Sequence, residues 1–230
     1  MDSAPFDKRG YPVVSAQTGY AEWADHYDST VAAELDRPAL LGLKQIDWKS
    51  VQTALDLACG TGRTGTWLSE HGVELIDGID ITDEMRRIAE AKGVYRRLYR
   101  ADVAATGLPS ASYDLCTLVL ADEHLSSLQP VYDEAARMLR PAGYFVLVGY
   151  HPFFLLTGTP THYHRRDGAA VSIRSYIHLF SDHFEAGGNA KLNLLEFHEH
   201  LIDEGWVQRK PKWREYINWP VSFAMLWRRN

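Results

Sequence analysis

The residues best suited to chemistry in this chain begin with a turn of bare backbone. "DLACGTGRTG" (residues 56–65) places Gly60, Gly62 and Gly65 directly after a short apolar run that carries one acid, Asp56. Glycine at such a turn permits positive φ and lets a flat polar ligand lie against the main chain. Two further acids follow: Asp80 closes "ELIDGID" and Asp102 closes "RAD". A carboxylate at the first place suits a pair of ribose hydroxyls, and one a strand farther across suits an adenine amino group. The G-x-G-x-x-G spacing alone also fits a pyrophosphate on a helix N-terminus, so the glycines by themselves leave a dinucleotide open. Two histidines, His124 in "LADEHL" and His151 in "GYHPFF", are candidates to take a proton from a neutral nucleophile, with Asp122, Glu123 and Tyr150 beside them.

Such groups converge only if strands end at them, and the chain supplies the strands. Apolar runs at 53–58, 74–80, 96–100, 113–120 and 143–150 alternate with amphipathic segments near 63–71, 83–92 and 128–140, the last ended by Pro141. This is the pattern of an α/β fold, a mostly parallel sheet with helices on both faces. Ligands in such folds bind outside the carboxyl ends of the strands, where both histidines fall. A helix is expected near 191–204, followed by an antiparallel hairpin built from "WVQRKPKW" and "VSFAMLWRR" at the sheet edge. Two segments stand outside the alternation. Residues 18–45 read as one or two cap helices, and residues 151–190, rich in aromatics, His, Gly and Pro, read as a substrate cover.

The motifs occur in a set order: "DLACGTG" (56–62), "GIDITDEM" (78–85), "RADVAATGLPSASYDLCTLVLADEHL" (100–125) and "RMLRPAGYFVLVGYHP" (137–152). In that order the chain resembles the class I S-adenosylmethionine-dependent methyltransferases of small-molecule type, such as those of ubiquinone and menaquinone biosynthesis. The resemblance implies a Rossmann-like three-layer sandwich with a mostly parallel seven-stranded sheet and a C-terminal antiparallel hairpin, in one domain over 1–230. It also implies S-adenosyl-L-methionine as cofactor and S-adenosyl-L-homocysteine as product. Gly60 and Gly62 would then contact the methionine part, Asp56 its ammonium end, Asp80 the ribose and Asp102 the adenine amino group. Ile81 and Val103 would sandwich the adenine near Met85, and Ala58 and Leu120 complete the expected cofactor set. "GYAEWADHYD" resembles the helix that closes over the cofactor in such enzymes, with Tyr20 expected near the methionine carboxylate.

A sulfonium methyl moves by in-line displacement, so a neutral hydroxyl acceptor needs a base, whereas a carboxylate, thiolate or free amine needs little more than placement. His124 and His151 are the expected catalytic residues, with an O- or N-nucleophile favoured. No metal is expected: His162 and His164 share one side of a strand, and "FHEHL" would put His198 and His200 on different faces of a helix, with no converging set of three or four ligands. Composition bounds the rest. The 230 residues, 46% hydrophobic with a net charge of −6, suit one substantial core and give no electrostatic reason for a nucleic-acid partner. The two cysteines lie in apolar runs, and neither a signal-peptide segment nor a long apolar span is present. The expectation is a cytoplasmic protein, monomer or homodimer, acting on a small-molecule acceptor away from membranes. A catalytically idle S-adenosylmethionine-binding protein and a nicotinamide-dependent oxidoreductase are the alternatives. The second lacks a recognisable Tyr-x-x-x-Lys site.

Overall fold

Successive Val, Ile and Leu residues can all be buried in a strand only when helices cover both faces of the sheet, and that is the arrangement the chain adopts. The computed structural model describes residues 1–230. The chain opens with a short strand β1 (Val13–Val14) and two helices, α1 (Ala16–Thr30) and α2 (Arg37–Gly42). The first half of the alternation is β2 (Thr53–Leu57), α3 (Arg63–Glu70), β3 (Leu75–Ile79), α4 (Asp83–Ala91) and β4 (Arg97–Tyr99). The second is β5 (Tyr113–Val119), α5 (Gln129–Met138) and β6 (Leu139–Tyr150). There follow α6 (Pro152–Leu156), β7 (His162–His164), β8 (Ala170–Ile173), α7 (Phe180–Asn189), β9 (Leu192–Leu201), α8 (Glu204–Arg209) and β10 (Pro220–Arg229).

The main sheet has the order β4-β3-β2-β5-β6-β10-β9, and β10 alone runs against its neighbours. Leu55, Leu57, Cys116 and Leu118 bury one face under α5 and α7, while Ala54, Ile76, Leu115 and Val146 bury the other under α2 and α3. The chain leaves β2 toward one edge and returns to β5 on the other side, so a crevice opens at the carboxyl ends of these two strands.

The C-terminal antiparallel hairpin is present with "VSFAMLWRR" in β10 as expected, but its other strand is made from different residues. Residues 192–201 form strand β9, not a helix, paired along its length with β10, and a register shift sets Leu194 and Glu196 against the adjacent Trp227 and Leu226. The extra residue breaks the two-residue alternation and leaves apolar spacings that mimic a helix. "WVQRKPKW" is instead helical, because the Asp203 carboxylate accepts from the Trp206 amide at 2.7 Å and caps α8. His198 and His200 therefore share one face of a strand rather than opposing faces of a helix. Helix α5 ends at Met138, before Pro141, which lies at the irregular start of β6.

The expected cover splits in two. The hairpin β7–β8 joins β1 in a small sheet that lies on α1, where Trp23 stacks on Tyr163 at 5.6 Å beside Val171 and Ile173. A Cβ at Gly19 would stand 2.7 Å from Ile173, so glycine is what lets helix and strand approach. Helix α7, by contrast, packs against α5 and β9 as part of the sheet's own helical layer.

Candidate functional site

Both strands that border the crevice end in a residue with left-handed backbone: Ala58 at φ 52° after β2 and Leu120 at φ 53° after β5. Non-glycine residues pay roughly 1 kcal/mol or more for this conformation, and here it bends the chain sharply so that both turns face one cavity. Gly60 and Gly62 continue the first turn at φ 53° and 86°. The two glycines serve different ends. Nothing crowds a Cβ at Gly60, which lines the cavity, whereas one at Gly62 would stand 2.9 Å from the Tyr95 ring.

The cavity is lined by Ala58, Gly60, Thr61, Asp80, Ile81, Met85, Asp102, Val103, Leu120, Tyr20, Tyr27, His124 and Leu125, among others. Asp80 braces the turn, its Oδ2 accepting from the Gly60 amide at 2.9 Å and its Oδ1 from the Thr82 amide at 2.8 Å. Burial raises its pKa. Each carboxylate oxygen keeps acceptor capacity beyond its one backbone bond. Asp102 is exposed, with Oδ1 accepting from the Ala104 amide at 2.8 Å. Ile81 is 44% exposed although apolar, and with the buried Met85 and Val103 it offers an apolar wall beside the two carboxylates. A nucleoside with a flat apolar ring, ribose hydroxyls and an exocyclic amine fits this wall.

Three expected residues lie elsewhere. Asp56 does not line the cavity: on the same side of β2 as Ala54, it is buried beneath the turn, accepting from the Tyr95 hydroxyl at 2.6 Å and the Thr117 hydroxyl at 2.8 Å. Burial pushes its carboxyl up to about 6 against these bonds. It braces the turn from below, outside the cavity lining. Gly62, packed against Tyr95, is likewise set back from the cavity lining. His151 also points away from it. Its Nδ1 accepts from the Phe153 amide at 3.1 Å, so Nε2 carries the proton and donates to Glu199 at 2.8 Å. It caps α6 and packs edge-on against Phe180, and burial lowers its pKa despite Glu199.

His124 is in the cavity lining, and both of its ring nitrogens have partners. Nδ1 lies 2.9 Å from the Arg174 carbonyl, which can only accept, so Nδ1 holds the proton. Nε2 lies 2.8 Å from the Tyr20 hydroxyl, from which a neutral imidazole so protonated accepts. Burial, with Tyr27 and Glu123 nearby, raises the Tyr20 pKa well above that of an ordinary phenol and keeps it a donor. Other contacts were not evident from the motifs. Arg63 donates to Asp36 at 3.0 Å and to the Val31 carbonyl at 2.8 Å, fixing the N-terminus of α3 to the cap. Asp28 joins Lys92, at the C-terminal cap of α4 and 2.6 Å away, to the hydroxyl of Thr61 in the glycine turn. A basic residue just after the glycine turn was the only sign of the first contact. No group of three or more His, Cys, Asp or Glu side chains converges as metal ligands would, and no helix is long and apolar enough to cross a membrane.

Known proteins agree with this geometry. Residues 55–147 match the family described as Methyltransferase domain. The chain is 30% identical over 141 residues to the uncharacterized methyltransferase YcgJ of Bacillus subtilis, covering 59% of this chain and 55% of that protein. It is 32% identical over 110 residues to a demethylmenaquinone methyltransferase of Thermus thermophilus, covering 45% and 50%. The chain thus spans about half the length of the curated relatives it matches. The crystal structure of an S-adenosylmethionine-dependent methyltransferase from Mesorhizobium loti superposes with a TM-score of 0.69 at 20% identity, over 86% of this chain and 99% of that one. Crevice, glycine turn and strand-end acids coincide with the domain match: residues 55–147 carry a methyltransferase domain, in a fold shared with a solved S-adenosylmethionine-dependent methyltransferase.

Proposed function

We propose that the chain transfers a methyl group from S-adenosylmethionine to a small protic acceptor, a hydroxyl or an amine, held between the Tyr20–His124 pair and the turns after β2 and β5. The observation that carries this reading is that a proton-accepting imidazole lines the same cavity as Gly60, Asp80 and Asp102. Bound S-adenosylmethionine supplies a methyl group activated by a sulfonium charge. The chain's own residues do the rest. Asp80 and Asp102 accept hydrogen bonds from the nucleoside, and Ile81, Met85 and Val103 hold its ring. The open backbone at Gly60 admits the chain that bears the methyl group. The aromatic rings of Tyr20 and Tyr27 flank that end, where ring faces stabilise a cation and exclude water. His124 provides the proton-accepting end, and His151 is left a structural part.

Incubation with methyl-labelled cofactor and a panel of phenols, hydroxy acids and amines tests this. Labelled product with stoichiometric S-adenosylhomocysteine is the expected result. Binding of S-adenosylhomocysteine without transfer to any acceptor would instead make the chain an idle cofactor-binding protein.

A further inference from the structure

We infer that Tyr20, His124 and Glu123 form a proton relay in which the Tyr20 hydroxyl, rather than the imidazole, touches the acceptor. This rests on the methyl-transfer reading above. The imidazole Nε2 is already occupied: it accepts from Tyr20 at 2.8 Å, while Nδ1 is committed to the Arg174 carbonyl at 2.9 Å. An acceptor proton can reach His124 only through the phenol. Tyr20 rides on α1, its ring edge-on to His124 with centroids 5.2 Å apart, so packing as well as the hydrogen bond holds the pair.

Glu123 completes the arrangement. Its side chain is 1% exposed, its Oε1 lies 3.6 Å from His124 Nε2 and accepts from Thr161 at 3.3 Å, and its Oε2 has no partner. A buried carboxylate oxygen without a donor costs free energy, and a positive charge on the imidazole would offset that cost. The other groups around this pocket are Tyr27 of α1, Tyr150 of β6, His178, Asp122, whose pKa burial and then Glu123 raise, and the cations Arg9, Arg63 and the N-terminal ammonium. These cations are bonded elsewhere, Arg9 to the Pro160 carbonyl, Arg63 to Asp36 and Val31 and the ammonium to the Ile177 carbonyl, and none bonds to Glu123.

The step balances. As the acceptor O–C bond forms, the acceptor's O–H proton passes to Tyr20 Oη and the original Tyr20 proton passes to His124 Nε2. The C–S bond breaks with its electron pair left on sulfur. One positive charge leaves the sulfonium and one appears on the imidazolium, within ion-pair range of Glu123, so the buried site keeps its net charge. The proton returns to water after product leaves. Tyr20 is then a catalytic residue, and Glu123 a positioning residue that acts through His124.

Nitrogen-15 NMR of the unliganded protein tests the ground state without any turnover: His124 should be the neutral Nδ1–H form with a bare, hydrogen-bonded Nε2. A proton on Nε2 would overturn the relay. With a hydroxyl acceptor, Tyr20→Phe should lower kcat on the order of 100-fold with KM and S-adenosylhomocysteine affinity little changed. Glu123→Gln should lower kcat about 10-fold and move the acid limb of the rate profile to lower pH, and Glu123→Asp should restore part of the rate. Wild-type kcat in both Tyr20→Phe and Glu123→Gln would contradict the relay while leaving methyl transfer itself established. Should Glu123→Gln not fold, the Glu123→Asp profile decides, because retracting the carboxylate must move the same limb in the same direction. Failure of every acceptor would count against the methyl-transfer reading, and the NMR result would still decide the relay's hydrogen-bond order.

Discussion

Asp80 and Gly60 are joined across two strand ends: the Gly60 amide donates to Asp80 Oδ2 at 2.9 Å, so the acid proposed to meet the nucleoside also fixes the turn proposed to meet the methyl donor. Asp80→Ala removes both functions. It should weaken S-adenosylhomocysteine binding by about 2 to 3 kcal/mol, the range for a charge-assisted pair. Asp102→Asn should cost less, since Asp102 is exposed and an amide can still accept one bond. Calorimetry on both variants gives the order. The reverse order would exchange the roles assigned to the two acids.

Asp56 gives a pH signature. Burial raises its carboxyl to about 6, above the ordinary value of 3.8, so the folded state favours the protonated acid. The associated stability is fully present below about pH 4 and is lost as pH rises through about 6, a difference of roughly 3 kcal/mol. Asp56→Asn keeps an acceptor for Tyr95 and Thr117 but cannot ionise. Its melting temperature, compared with wild type between pH 4 and 7, should fall less steeply with rising pH. Parallel curves would show that Asp56 does not carry this dependence.

His151 separates structure from chemistry. With Nδ1 on the Phe153 amide and Nε2 on Glu199, it holds the start of α6. His151→Ala should lower stability by about 1 to 2 kcal/mol through loss of the cap and its packing. Cofactor affinity should stay within about twofold of wild type, since the ring lies outside the cavity lining. A large loss of affinity with unchanged melting temperature would return His151 to the active site.

The parts legible in the sequence were those set by local rules. The strand-end acids and glycines could be placed because a strand, a sharp turn and a helix leave few other ways to present a carboxylate. Tyr20 could be placed on a helix face, but its bond to His124, 104 residues away, is a product of tertiary packing. The burial of Asp56 beneath the turn was not legible for a related reason. Its position before the turn is visible in the sequence, but the side of the sheet it faces depends on Tyr95 and Thr117, far along the chain. At β9 the register shift disguised a strand as a helix, so β10 was expected where it lies but its hairpin partner was assigned to the wrong residues.

The cover should respond to ligand in parts. Hydrogen exchange with and without S-adenosylhomocysteine should show α1 and the hairpin β7–β8 gaining protection together, since Trp23, Tyr163, Val171 and Ile173 form one cluster. Helix α7 should be equally protected in both states, because it belongs to the layer on the main sheet. Ligand-dependent protection in α7 with none in the hairpin would reverse this division.

Calorimetric titration of the whole chain with S-adenosylhomocysteine and, in parallel, with NAD is the most direct measurement, because the same glycine spacing serves both ligands. Saturable one-to-one binding of S-adenosylhomocysteine, weakened in Asp80→Ala and without a comparable response to NAD, is the expected result. Tight NAD binding with no heat from S-adenosylhomocysteine would contradict the assignment of this cavity to a methyl donor.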